Sequence, residues 1–340
     1  MGAAPSSRLD GILPLGWLPV SHAEAILENT KIQLYAFCDN DQERLQQLGA
    51  YYNVKYLYND FQDLIQETQP DFLCIATRTQ GRTDIIKYAC QNNVKIIYLE
   101  KPISRSIADC RSTLEICKKY DVLLGYGVNR RYHFAYRKAK EIIKSGIVGQ
   151  LREINIEHGR SSLLWSHPHS ADLILFFAED TQIEYIQGTC SYTDDYIPEN
   201  IMFIDNDPII EHAYLKFKNG ITANINQVGG LNVRLGCTEG IVTVYGDGTH
   251  IEIRKGDGYF TETQLINPEP RQSATVTAFR ELVDALKTDS PIPIKQEEIL
   301  TNMIILNGIV YSSINGGQRI APSEIPEEMI VTGKSGVFYA

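Results

Sequence analysis

The feature that most restricts the fold lies between residues 32 and 128, where short apolar runs alternate with longer segments whose apolar residues recur at helical spacing. That alternation is the sequence sign of βαβ units, in which helices cover a parallel sheet. It predicts strands over 34–38, 72–76, 96–99 and 122–126, and helices over 22–28, 41–50, 61–67, 83–92 and 107–120. Ser21 and Glu24 are spaced as a capping box at the start of the first helix.

A doubly wound sheet binds ligands outside the carboxyl ends of its strands, so residues following each strand carry the functional reading. The first such turn should be Gly-x-Gly-x-x-Gly, whose missing side chains let backbone N–H groups approach a pyrophosphate. Here it reads Pro14-Leu15-Gly16-Trp17-Leu18-Pro19, with one glycine kept and two prolines that lack an N–H. The strand expected before it, over 9–13, contains Asp10 and Gly11, both poor strand residues. Asp39 ends the second strand, where a carboxylate would accept hydrogen bonds from adenosine ribose hydroxyls; the alternative is a turn residue in Asp39-Asn40-Asp41. A carboxylate there repels a 2′-phosphate, which favours NAD over NADP.

Beyond residue 150 the pattern changes to alternating segments over 152–158 and 183–192, which suit a mostly antiparallel sheet with one covered face. Asn219-Gly220 and Gly246-Asp247-Gly248 each join two alternating runs as hairpins. A helix is expected around Phe279, Leu282, Val283 and Leu286, which form one apolar stripe. The fold class is therefore α/β, a Rossmann-type doubly wound parallel sheet followed by an α+β unit with a large antiparallel sheet. The 340 residues divide into a dinucleotide-binding domain over 1–125 and a substrate-binding and oligomerisation domain over 126–340.

Charge restricts the partners. The net charge is −10, and no run holds more than two adjacent basic residues, so the clustered cations that bind nucleic acid or an anionic membrane are missing. No apolar stretch reaches the ~18 to 20 residues that span a bilayer. Residues 1–25 imitate a signal peptide loosely, but Pro14, Gly16 and Pro19 break the apolar part and Asp10 offsets Arg8. Met1-Gly2 with Ser6 fits the myristoylation pattern, though a single acyl chain anchors weakly. Seven scattered cysteines without a Cys-x-x-Cys pair read as reduced, mostly buried thiols of a cytoplasmic protein.

Glu100-Lys101-Pro102-Ile103 follows the strand over 96–99, where the fold places a ligand. At these residues the chain resembles the Gfo/Idh/MocA family of oxidoreductases. The likeness extends to Gly16-Trp17, Ser21 to Ala25, Cys38-Asp39, Ala76-Thr77, Gly127 with Asn129-Arg130-Arg131, and His169-x-x-Asp172. It implies a nicotinamide-dependent dehydrogenase or reductase acting on sugars, cyclitols or related hydroxy compounds, assembled as a homodimer or homotetramer. Gly16, Trp17, Asp39, Thr77, Glu100 and Lys101 would then line the NAD site. Lys101 would be the active-site lysine, polarising the substrate oxygen, and His169 the acid/base. Asn129, Arg130, Trp165, His169 and Asp172 would face the substrate.

Other readings stand beside these: a surface lysine for Lys101, a capping or core histidine for His169, and either a phosphate clamp or a structural pair for Arg130-Arg131. His167-x-His169 with His158 and His212 falls short of a metal set, because Pro168 intervenes and no carboxylate or thiolate completes it. Two departures from the family pattern join the altered glycine turn. Trp165 stands where an Asp is usual, and Thr77-Arg78-Thr79-Gln80-Gly81-Arg82 replaces Thr-Pro-x-x-x-His. They open an alternative function, a non-catalytic or regulatory ligand-binding member with a degenerate cofactor site.

Overall fold

The computed structural model describes residues 2–193, 196–256, 262–267, 269, 272–288 and 290–333. Its first part contains strands β1 (Ala36–Cys38), β2 (Tyr56–Tyr58), β3 (Phe72–Ile75), β4 (Ile96–Leu99) and β5 (Leu123–Tyr126). Between and before them run α1 (His22–Leu27), α2 (Gln42–Tyr52), α3 (Phe61–Thr68), α4 (Arg82–Gln91) and α5 (Ile107–Lys119). Every strand and helix expected beyond residue 20 in this part forms to within two residues, and β2 is an addition. Side-chain caps explain several helix starts: Asp41, Asp60 and Ser106 each accept a backbone N–H from the first turn that follows. The strand β4 is buried at all four positions, as a central parallel strand must be.

One expected strand does not form. Residues Ser6–Leu9 make a 3₁₀ turn, and Gly11 beyond it adopts φ +72°, a left-handed conformation that no strand tolerates. The parallel strands accordingly form two sheets, β1-β2 and β3-β4-β5. The capping box at Ser21 is also absent, for a reason that belongs to the site below.

The second part comprises α6 (Phe134–Lys144), β6 (Leu151–Glu157), α7 (Leu163–Ala178), β7 (Ile183–Ser191), β8 (Phe203–Ile204), β9 (Ile209–Phe217), β10 (Thr222–Asn226) and β11 (Asn232–Cys237). Then come β12 (Gly240–Tyr245), β13 (His250–Lys255), β14 (Glu262–Ile266), α8 (Ala274–Thr288), α9 (Gln296–Ile314) and β15 (Ile330–Val331). Eight strands pair in the order β14-β13-β12-β11-β6-β10-β9-β7, antiparallel except where β6 meets β10. Both hairpins form where expected, β9–β10 and β12–β13. The helix α9 lies on β7 so closely that a Cβ on Gly188 would come within 2.8 Å of Ile309.

The helix α8 returns to the parallel sheet and fastens the two parts together. Phe279 meets Tyr98 of β4 and Phe72 of β3 at ring-centroid distances of 4.7 and 5.1 Å, both edge to face. Of the expected stripe, Phe279, Leu282 and Val283 are buried, but Leu286 is 42% exposed and lies off the packed face. The thiols also differ from expectation, since Cys90, Cys110 and Cys117 are buried while Cys38 is exposed and the other three are half-buried. Among the described residues no helix is long and apolar enough to cross a membrane.

Candidate active site

The strand β4 delivers Glu100 and Lys101 to its carboxyl end. Glu100 accepts a hydrogen bond from His22 Nε2 at 2.9 Å, which ties the start of α1 to this strand. The Lys101 ammonium donates one proton to the carbonyl of Trp165, and its Nζ lies 3.6 Å from the Trp165 ring centroid. This cation–π contact holds the lysine against the first turn of α7. Burial pushes the Lys101 pKa down to about 8, with Glu100 opposing the shift. The start of α7 is capped by Asp207, whose Oδ1 accepts the Leu164 N–H at 2.7 Å. Burial raises the Asp207 carboxyl to about 6 against these hydrogen bonds and Lys101.

His169 follows Trp165 by four residues on α7, so both side chains lie on one face of the helix. Its Nδ1 is buried without a hydrogen-bond partner in the chain. Burial, then the positive charges of Arg130 and Lys101, hold its pKa well below the ordinary value. At neutral pH the imidazole is therefore uncharged and able to accept a proton. Glu100, Lys101, Trp165 and His169 thus come together at the junction of β4 and α7.

Other expected site residues are engaged elsewhere. Asn129 lies between the Tyr98 hydroxyl, which it accepts, and Thr275 Oγ1, to which it donates at 3.1 Å. Arg130 makes a two-pronged ion pair with Asp247 at 2.8 and 2.6 Å. Asp172 is spent on Arg131. Asp39 accepts Arg44 through both oxygens, at 2.9 and 2.8 Å. The Thr77 carbonyl accepts from Arg82, which also donates to the carbonyls of Glu100 and Pro102. Arg82 is buried, and burial lowers its pKa to about 10. It gathers the carbonyls beyond β3 and β4, a role its sequence neighbours do not signal.

The altered glycine turn is fastened to the second part of the chain. Gly16 has φ +87°, its carbonyl accepts Ala274 N–H at 3.0 Å, and a Cβ there would collide with the Phe134 ring. Trp17 is buried, stacks on His133 at 4.7 Å and donates from Nε1 to the Asp247 carbonyl at 2.8 Å. The N–H groups at the start of α1, where a pyrophosphate would lie, already have partners. Val20 and Ser21 both donate to Ser6 Oγ at 3.1 Å, and His22 donates to the Gly2 carbonyl at 2.8 Å. The Ser21 hydroxyl turns to the same carbonyl, and Glu24 accepts the Ser6 N–H. That use of both side chains replaces the expected capping box.

The two halves of the site respond differently to a dinucleotide. Lys101 and the unpartnered Nδ1 of His169 suit the nicotinamide and substrate end. The phosphate end holds the chain's own residues 2–6, so a dinucleotide fits that turn once this segment has moved.

A parallel nucleotide-type sheet and a large mostly antiparallel sheet thus define a two-part Rossmann-type α/β fold, with Lys101 and His169 on the elements that meet between them. Residues 11–128 match the Gfo/Idh/MocA oxidoreductase family, described by its NAD-binding Rossmann fold. It is similar to myo-inositol 2-dehydrogenase of Thermotoga maritima, 30% identical over 146 residues, which are 43% of each protein. The chain thus spans less than half the length of that curated relative. Solved structures share the fold over more of the chain. An oxidoreductase from Agrobacterium radiobacter, in complex with NAD+, L-tartaric acid and magnesium, superposes with a TM-score of 0.73 at 17% identity, covering 89% of this chain and 94% of that one. Aldose-aldose oxidoreductase from Caulobacter crescentus, complexed with glycerol, gives 0.74 at 18% identity, covering 88% and 94%.

Proposed function

We propose that the protein is a nicotinamide-dependent oxidoreductase that moves a hydride between the cofactor and a CH–OH group of a sugar, cyclitol or related compound. The observation that carries this reading is the junction of Lys101, a half-buried ammonium held on Trp165 at the carboxyl end of β4, with the half-buried His169 imidazole one helical turn further along α7. The bound nicotinamide supplies the hydride acceptor. Lys101 has two ammonium protons beyond the one given to Trp165, and these polarise the substrate oxygen and stabilise its developing charge. His169 accepts the hydroxyl proton. Trp165 holds Lys101 in place and offers an aromatic wall to a sugar ring.

Asp39 supports NAD over NADP, because its carboxylate stands at the ribose end, although Arg44 offsets part of that charge. A cytoplasmic location and a division near residue 125 belong to the same reading. Self-association into a dimer or tetramer is supported by the eight-stranded sheet, where Tyr214 and Asn224 stand half-exposed between buried neighbours.

The filled phosphate end favours a second reading, a ligand-binding or regulatory member that holds no dinucleotide. Titration with NADH and NADPH separates the two. The chain has two tryptophans, Trp17 at the turn and Trp165 at Lys101, so intrinsic fluorescence reports directly on the site. Quenching at sub-millimolar NADH supports the oxidoreductase; silence at millimolar levels of both cofactors sinks it. Ser6→Ala removes two accepted hydrogen bonds of about 1 kcal/mol each, so NADH affinity is expected to rise by about tenfold or more. An unchanged Kd would show that residues 2–6 do not compete with the dinucleotide.

A further inference from the structure

Behind His169 lies a chain of hydrogen bonds that the reaction above does not use. Ser161 Oγ meets His167 Nε2 at 3.1 Å, His167 Nδ1 meets Ser170 Oγ at 3.0 Å, and Ser170 Oγ meets His158 Nδ1 at 3.1 Å. Four side chains from the loop after β6 and from α7 thereby form one continuous path. Ser161, at one end, is half-buried; His167 and Ser170 are wholly buried and His158 nearly so. At the inner end His158 Nε2 is buried with no partner in the chain, and so is Nδ1 of His169, the residue next to Ser170.

This path has two complete arrangements. In one, Ser161 donates to His167, His167 to Ser170 and Ser170 to His158, which leaves the His158 proton on Nε2. In the other every bond runs backwards and His158 Nε2 is a bare acceptor. Passing from the second arrangement to the first takes one proton in at His158 Nε2 and releases one at Ser161, and no group along the way need hold a net charge at rest. Burial keeps His158, His167 and His169 neutral, so a proton on any of them is short-lived.

We propose that Ser161, His167, Ser170 and His158 form a proton relay that carries to solvent the proton His169 takes from the substrate hydroxyl. This rests on the oxidoreductase reading. The O–H bond of the alcohol breaks as its carbon gives hydride to the nicotinamide, His169 takes the proton, and the imidazolium so formed gives one to His158 Nε2, the buried acceptor without a partner in the chain. One proton then leaves at Ser161, which restores a neutral His169. Reduction runs the path in reverse. His158 and Ser170 are positioning residues on this account, since neither touches the reacting atoms.

The test has one arm that needs no turnover. With seven histidines in the chain, nitrogen NMR of the imidazoles of the full-length protein can resolve each tautomer. His158 and His167 are expected to be neutral and to exchange between tautomers together. Ser170→Ala should uncouple them, and His169→Gln should shift the His158 tautomer ratio. Fixed, mutually independent tautomers in the wild type, or a His158 ratio indifferent to His169→Gln, would overturn the relay. Where the wild type reduces NAD with myo-inositol or another polyol, Ser170→Ala should lower kcat by about 10²-fold with KM unchanged, near the lower end of what positioned proton transfer contributes. Ser170→Thr, which keeps the hydroxyl, should restore much of it. Equal losses in both variants would mean a packing role. A wild type without turnover but with coupled tautomers would fail the oxidoreductase reading and leave the hydrogen-bonded path standing.

Discussion

Lys101→Met is expected to cut turnover by about 10² to 10³-fold while sparing cofactor affinity, the loss seen when one preorganised donor to a developing oxyanion is removed. Methionine keeps the length and the apolar stem, so Trp165 loses its cation but keeps a packing partner. The checks are initial rates of NADH formation across sugars and cyclitols, with NADH affinity from tryptophan fluorescence. Retention of full activity would remove Lys101 from the mechanism, and a parallel loss of affinity would make it a cofactor-binding residue instead. The pH profile gives an independent reading. The ammonium is the working form and burial brings its pKa to about 8, so the wild-type rate should fall as pH rises through 8. Lys101→Arg keeps its charge across that range and should flatten the fall, though at a lower rate because a planar guanidinium aims its donors differently. No acid limb is expected near pH 6.5, because burial keeps His169 neutral until well below that value.

The elements legible in the sequence are those whose burial imposes a period. The strand β4 reads as a continuous apolar run because both of its faces are covered, and the β9–β10 hairpin is legible because Asn219-Gly220 meets the turn's own backbone demand. The segment over 9–13 looked like the missing strand because the fold requires one there, yet Asp10 and Gly11 were the local signs against it, and the local signs prevail. Lys101 was legible in the same way as β4, through its place at a strand end. Two features could not be read from local pattern. Ser6 lies 15 residues from Ser21 in sequence, and only folding makes its hydroxyl the acceptor at the start of α1. His158 in the loop after β6 meets Ser170 of α7. For Asp172, family likeness implies a place facing the substrate, while the fold pairs its carboxylate with Arg131.

Asp172→Ala should destabilise the protein by about 3 to 5 kcal/mol, the range for stripping a buried charge of its partner. Arg131 is 3% exposed and Asp172 1%. Arg131 Nε and Nη2 reach Asp172 at 2.9 and 2.6 Å, Nη2 also reaches Glu298 at 3.1 Å, and Nη1 donates to the Pro293 carbonyl at 3.1 Å. One guanidinium thereby joins the segment after β5 to α7 and to the start of α9, three stretches far apart in sequence. Asp172 holds the Arg131 charge firmly in place, so removing the carboxylate leaves a cation that cannot reach water. Glu298→Gln should cost far less, because Glu298 is 19% exposed and its removal leaves the two-pronged pair intact. The measurement is the urea midpoint at constant slope. The double variant Arg131→Met with Asp172→Leu decides what the pair contributes: recovery of most of the lost stability means the single change acted by stranding Arg131, because an apolar pair of similar volume fills the same space without a charge to desolvate. A double variant as unstable as Asp172→Ala would instead assign the cost to the lost links from Arg131 to Pro293 and Glu298, which no apolar side chain can replace.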